Sequence, residues 1–304
     1  MELRHLRYFV AVAEALSFTR AAERLHIAQP PLSMQIRALE EELGAALFHR
    51  TKRRVSLTAA GHAFLLRARQ ILADAETARD EVGRAARGEL GRLRIGFTSS
   101  LPYSPAFGDV LRAYRAACPA VDVQLREMFT GDQFDALRRD ALDVALVRQP
   151  AESAPEGVTM REIGRDPLRI VTHTAHRLAA AGAVSMADLR DEAFITFPSD
   201  AGTGLPAMLA RLCREAGFEP RVVQIAREAT TQISLAVAGL GLALLPAPLE
   251  CVKLPRACYL PIRDIDAAFP LCVATASGAP NPVVAGFLAV LDAVTAQAGG
   301  VLSR

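Results

Sequence analysis

Apolar side chains recur at helical spacing through the first 43 residues, and the pattern is interrupted twice. It restarts after Ser17 and again after the segment 26–28. The sequence therefore predicts three helices, at about 6–16, 18–25 and 29–43.

The third predicted helix has the features of a recognition helix. Pro30 and Pro31 fall in its first turn, where missing amide donors cost nothing. Its inward stripe is expected to be Leu32, Ile36, Leu39 and Leu43. Two short helices joined by a tight turn form the arrangement that presents a helix N-terminus to the DNA major groove.

A basic segment and a long helix come next. Residues 48–57 predict a short hairpin that would form a wing, and Thr58 is placed to cap the helix that follows. One narrow side of this helix is apolar, which suits pairing with a second helix. That side comprises Phe64, Leu65, Ala68, Ile71, Leu72, Ala75, Ala78 and Val82. The pattern predicts a dimer.

Strands alternate with helices from about residue 91 onward, as in a parallel α/β sheet. The first set has predicted strands at 93–97, 121–127 and 143–147 and helices at 105–117 and 132–140. The second set has strands near 168–173, 193–197, 222–225 and 242–245 and helices near 186–190, 205–216 and 229–238. A last strand, 271–275, and a helix, 283–298, could return to the first lobe.

Charge and cysteine content narrow the possible functions. Residues 1–94 carry 16 basic and 11 acidic side chains, and the remainder carries 19 and 22. The excess of positive charge in the first third suggests a polyanionic partner for that part alone. Five cysteines without metal-ligand spacing indicate reduced thiols, and we expect no metal and no cofactor. With no predicted signal peptide or membrane span, we expect a cytoplasmic protein.

The outer face of the third helix carries side chains that can read bases. Glutamine can bind adenine, arginine can bind guanine or phosphate, and proline or methionine can contact a thymine methyl group. The candidates are Gln29, Pro30, Ser33, Met34 and Arg37. From periodicity alone, an ordinary three-helix bundle with a solvated face would explain the pattern equally well.

Six short stretches resemble the LysR-type transcriptional regulators. They are MELRHLRYF (1–9), SFTRAAERL (17–25), AQPPLSMQI (28–36), LEEELG (39–44), LFHR (47–50) and LTAAG (57–61). The resemblance implies a double-stranded DNA operator, a homodimer or homotetramer, and contact with RNA polymerase. It also matches Arg50, Lys52, Arg53 and Arg54 to the family's basic wing. Ala28 and Met34 depart from the family pattern, which often has serine and arginine there.

The predicted fold is therefore α/β with an N-terminal all-α winged helix-turn-helix, a long linker helix and a two-lobed sensor resembling periplasmic binding proteins. The expected boundaries are 1–58 for the DNA-binding domain, 59–90 for the linker and 91–304 for the sensor. Lobe I would comprise about 91–165 and 268–304, and lobe II about 166–267.

Loops after the sensor strands are the candidate effector site, because ligands of parallel sheets bind beyond the carboxyl ends of the strands. The candidates are Ser99, Ser100, Thr130, Arg148, Pro198 and Ser199. Hydroxyl groups and an arginine suit a small carboxylate, although Arg148 could instead form an ion pair within its lobe. These loops resemble those of family members that control aromatic-compound degradation, which implies an effector similar to muconate or benzoate. Its binding is expected to favour closer lobes.

Two other classes of protein remain as alternatives. Paired serines and Gly-x-Gly turns would suit an α/β enzyme, but the sequence has no Gly-x-Ser-x-Gly elbow and no phosphate-binding loop. A periplasmic solute-binding protein would share the two-lobed sensor, but not the helix-turn-helix. We therefore expect no enzymatic activity.

Overall fold

The computed structural model describes residues 1–51, 54–149, 153–265 and 267–297. The chain divides into two units, with the boundary between Arg84 and Ala85. The N-terminal unit holds three helices, a hairpin and a long helix. Its elements are α1 (Leu3–Ala15), α2 (Phe18–Arg24), α3 (Gln29–Leu43), β1 (Phe48–Arg50), β2 (Val55–Leu57) and α4 (Ala59–Ala86). The predicted winged helix-turn-helix and long helix are thus present.

The core of the N-terminal unit forms where the apolar stripes of the helices meet. Leu32, Ile36 and Leu39 of α3 are fully buried, as their spacing predicts. Leu43 is not part of this core, because it is 38% exposed. It is the last residue of α3, and Gly44 turns the chain away in the left-handed conformation.

The second unit contains five α-helices, five short 3-10 helices and nine strands among its described residues. The helices are α5 (Pro105–Ala117), α6 (Thr130–Arg138), α7 (Leu205–Glu215), α8 (Ala229–Val237) and α9 (Pro282–Gln297). The strands are β3 (Leu90–Phe97), β4 (Ala120–Glu127), β5 (Val144–Arg148), β6 (Val158–His173), β7 (Ala193–Thr196), β8 (Arg221–Ile225), β9 (Leu242–Pro246), β10 (Ala257–Pro261) and β11 (Ala268–Ala276).

These strands form two half-sheets that share β6. The order is β4-β3-β5-β11-β6-β9-β7-β8, with β10 also paired to β6. Residues 158–167 of β6 pair with β11 in lobe I, whereas residues 168–173 pair with β9 and β10 in lobe II. Tyr114 of α5 stacks edge-on against Phe287 of α9 at 5.3 Å, so α9 packs in lobe I.

The long strand β6 differs from its prediction. Its strand character begins at Val158, ten residues before the predicted start at 168. The first half carries charged residues such as Arg161, Glu162 and Arg165, which interrupt the hydrophobic pattern that marks a buried strand. None of the helices in the described ranges combines the length and apolar character needed to cross a bilayer.

Gly61 allows the start of α4 to approach the wing. A Cβ atom there would overlap the backbone carbonyl oxygen of Leu47 and would lie 2.9 Å from Leu57 Cδ2. We predict that Gly61→Ala destabilises the N-terminal unit by about 1–3 kcal/mol, because the backbone at Gly61 or at Leu47 would have to shift to remove the overlap. Thermal denaturation followed by circular dichroism measures this change. Gly108→Ala is the control, since a Cβ there meets nothing within 4 Å. Equal melting of both variants would contradict the prediction.

Candidate DNA-binding surface and ligand cavity

The outer face of α3 is open to solvent at most of the predicted positions. Gln29, Pro30 and Arg37 are exposed, Ser33 is half-buried, and Met34 is 62% exposed. An exposed methionine beside exposed glutamine and arginine gives this face both apolar and hydrogen-bonding groups.

Local sequence explains how α2 and α3 are positioned. Ser17 caps α2 by accepting a hydrogen bond from the Arg20 amide at 3.4 Å. Ala28 makes no capping bond at the start of α3, but Pro30 and Pro31 carry no amide N–H, so the first turn has fewer donors that need a cap. His5 of α1 contacts Gln35 Oε1 through Nε2 at 2.7 Å, which links α1 to α3.

The wing is a two-stranded antiparallel hairpin in which Phe48 pairs with Leu57 and Arg50 with Val55. Arg54 lies at its turn, where its amide donates to Thr51 Oγ1 at 3.0 Å, and the residue is exposed. Lys52 and Arg53 lie outside the described residues.

Arg50 contacts its own domain. Its guanidinium pairs with the Glu40 carboxylate at 2.5 Å and lies 4.8 Å from the centroid of the Phe18 ring. These contacts join the wing to α2 and α3, so Arg50 has a structural role in addition to any contact with phosphate.

Glu40 fixes the wing to the recognition helix. Its Oε1 accepts hydrogen bonds from the amides of Leu47 and Phe48 at 2.9 and 3.2 Å, and its Oε2 accepts from Arg50. One carboxylate thus satisfies two amides at the start of the wing and one guanidinium.

We predict that Glu40→Ala destabilises the N-terminal unit by about 1–3 kcal/mol, because two partly buried amides and Arg50 lose their acceptor. Specific DNA binding should weaken as the wing loses its anchor. Denaturant titration and a mobility shift measure the two effects. Glu41→Ala, at an exposed neighbour, is the control and should change stability by less than about 0.5 kcal/mol. A Glu40 variant as stable as this control would disprove the anchoring role.

A cavity of about 630 Å³ lies between the lobes of the second unit. Lobe I contributes the loop after β3, the end of β4 with the start of α6, and the end of β5. Lobe II contributes the loop after β7, the start of α8 and the end of β9. The cavity therefore lies at the carboxyl ends of the parallel strands, where the sequence predicted it.

Four of the six predicted effector residues line this cavity: Ser99, Ser100, Thr130 and Arg148. Thr130, the first residue of α6, is 1% exposed. Its hydroxyl, like that of Thr98, has no hydrogen-bond partner in the described part of the chain. A buried hydroxyl without a hydrogen-bond partner lowers the stability of the folded protein, and a bound ligand could supply the missing partner.

Arg148 is 3% exposed and forms the ion pair that the sequence left as an alternative. Its Nη1 pairs with Asp166 of β6, and its Nε donates to Ser100 Oγ at 3.2 Å. The other terminal nitrogen, Nη2, has no hydrogen-bond partner among the described residues. A ligand oxygen could therefore still bind this guanidinium.

Pro198 and Ser199 do not line the cavity; Phe197, Ala201 and Thr203 of the same loop do. The sequence analysis also missed three acidic lining residues, Glu127, Asp132 and Glu228. Glu127 ends β4, Asp132 lies in the first turn of α6 and Glu228 immediately precedes α8, so their positions beside the strand ends could have indicated them. An anion site is expected to contain hydroxyl and basic groups, and acidic residues do not fit that expectation.

Comparison with known proteins agrees with this architecture. Residues 3–62 match the bacterial regulatory helix-turn-helix protein, lysR family, and residues 86–296 match the LysR substrate binding domain. The chain belongs to the LysR family of transcriptional regulators. The first match covers α1 to α3, the wing and the start of α4, and the second covers both lobes.

Individual LysR-type proteins are similar over most of their length. The Escherichia coli regulator YnfL is 45% identical over 267 residues, which cover 88% of this chain and 89% of YnfL. A solved structure of full-length CbnR complexed with its target DNA has a TM-score of 0.83 at 31% identity and covers 97% of this chain and 100% of CbnR. BenM of Acinetobacter baylyi is 35% identical over 276 residues, 90% of each chain.

The effector-binding domain of BenM has been solved with its effector benzoate. That structure has a TM-score of 0.62 at 24% identity and covers 69% of this chain and 95% of the BenM domain. It shares the fold of the second unit.

Proposed function

We propose that this LysR-type regulator reads an operator with α3 and its wing, and that a small carboxylate bound between the sensor lobes modulates its DNA binding. The observation that carries the proposal is a cavity at the strand ends lined by Thr130, whose buried hydroxyl has no partner among the described residues. Benzoate, the effector of BenM, is a carboxylate of suitable class.

The DNA contacts divide into base readers and phosphate binders. Gln29 is suited to adenine, Met34 to a thymine methyl group, and Arg37 to guanine or phosphate. Pro30 and Ser33 adjoin them, and Arg54 with Lys52 and Arg53 would bind phosphates or a narrow minor groove. Action on DNA implies a cytoplasmic location, and regulation of transcription implies contact with RNA polymerase.

A mobility shift with the upstream DNA of the gene tests the readout by α3. We predict that Gln29→Ala weakens binding to the specific site by about 1–3 kcal/mol and binding to random DNA hardly at all. The control is Arg54→Ala, which should weaken both and lower the salt slope by roughly 1. Equal losses on both DNAs for Gln29→Ala would rule out base reading.

The effector role of the cavity is tested by Thr130→Val, which removes the hydroxyl and keeps the shape. We predict that the affinity for benzoate falls by about 0.5–1.5 kcal/mol, the contribution of one hydrogen bond, while DNA binding without ligand is unchanged. Calorimetric titration with benzoate and muconate measures the change. Thr174→Val, at an exposed site outside the cavity, is the control. A Thr130 variant that binds like Thr174→Val would refute this contact.

Assembly follows from the exposed side of α4. Val82 is 70% exposed and Ile71 is 38% exposed on the single chain, although both belong to the predicted apolar side. Ala68 of the same side is instead buried in the core of the N-terminal unit, with Phe64, Leu65 and Leu72 packed against that core. We therefore expect two copies to pair through the exposed part of this side, and operators to contain two half-sites. Sedimentation should show a dimer or tetramer, and a monomer at micromolar concentration would contradict the proposal.

A further inference from the structure

The cavity is more acidic than a simple anion site should be. Glu127, Asp132 and Glu228 line it, whereas Arg148 is its one cationic lining residue in the described ranges. Asp166 pairs with Arg148, so a ligand anion would share that guanidinium with a carboxylate of the protein. These three carboxylates, Glu127, Asp132 and Glu228, are exposed and therefore partly screened by solvent, but they favour a ligand that carries a positive group over one that carries only negative charge.

Two of the carboxylates belong to different lobes. Glu127 ends β4 in lobe I, and Glu228 immediately precedes α8 in lobe II. Both carboxylates line the cavity, and partial desolvation and, next, the charge of Glu127 raise the pKa of Glu228. Such a pair is relieved by a cation placed between its members.

The neighbouring Arg227 does not fully neutralise the two carboxylates. Its guanidinium lies 4.6 Å from the centroid of the Phe129 ring and 3.7 Å from Asp200, so it is shared with other groups. Its effect on the pKa of Glu228 is smaller than that of desolvation or of Glu127.

A second group of side chains in the same cavity has the opposite preference. The buried hydroxyls of Thr98 and Thr130 and the Nη2 atom of Arg148 have no hydrogen-bond partner among the described residues. These groups suit a carboxylate. The cavity therefore has an anion-binding part and a cation-binding part.

We propose that the effector is a small zwitterion, whose carboxylate binds near Thr130 and Arg148 and whose ammonium group binds between Glu127 and Glu228. This inference rests on the proposed function of the cavity. By bridging carboxylates of both lobes, the ammonium would favour the closed arrangement only when ligand is present.

Two probes that differ in one group test the inference on the full-length protein. 4-(Aminomethyl)benzoate carries an ammonium opposite its carboxylate, and 4-(hydroxymethyl)benzoate is its neutral counterpart. We expect the ammonium probe to bind about tenfold more tightly, as a charge-assisted contact implies, with a smaller ratio at high salt. Calorimetric titration gives both affinities.

The variants Glu127→Gln and Glu228→Gln should reduce this ratio toward one, while Glu215→Gln, in an exposed pair with Arg211, should preserve it. Equal or tighter binding of the neutral probe, or a ratio unchanged in both cavity variants, would overturn the inference while leaving the carboxylate site in place. Binding of neither probe would overturn both the inference and the proposed carboxylate site. Binding of the parent protein to its operator is measured alongside without ligand. A parent protein that does not bind the operator would count against the proposed function instead.

Discussion

The sensor depends on a buried ion pair between Arg148 and Asp166. Arg148 ends β5 in lobe I, and Asp166 lies where β6 leaves its pairing with β11 and enters lobe II. Both side chains are almost fully buried. Removing either member would leave the other charged and unpaired in a region of low dielectric, at a cost of about 3–5 kcal/mol. The pair thus joins the cavity-lining end of β5 to β6, the strand that both lobes share.

The DNA-binding unit and the ligand cavity differ in charge. The N-terminal third has an excess of basic residues, and exposed Arg37 and Arg54 are available for a polyanion. Glu40, which is partly buried, compensates Arg50 and the wing amides within the domain instead of opposing DNA. The cavity has an excess of acidic residues, because Arg148 is the one basic residue among its described lining residues and Glu127 and Glu228 are both acidic. Nucleic acid and effector therefore meet surfaces of different charge.

The sequence predicted the elements whose pattern is local. The stripe Leu32, Ile36 and Leu39 and the cap Thr58, which accepts from the Gly61 amide at 2.9 Å, were evident from spacing. Leu43 was misassigned because periodicity does not indicate where the neighbouring elements end. The early half of β6 was missed because long-range pairing with β11 maintains a strand that is locally polar. The acidic side of the cavity was missed because Glu127 and Glu228 are 101 residues apart in the sequence and line one cavity only in the folded sensor.

The central claim, that a carboxylate binds beside Arg148, is tested most directly by chemical rescue of Asp166→Asn. This variant keeps the size of the side chain but leaves the buried guanidinium without its counter-ion. Thermal denaturation is measured for the parent and the variant with and without benzoate. If the carboxylate replaces the missing partner, benzoate raises the Tm of Asp166→Asn by more than that of the parent. An equal or smaller rise in the variant would contradict the account.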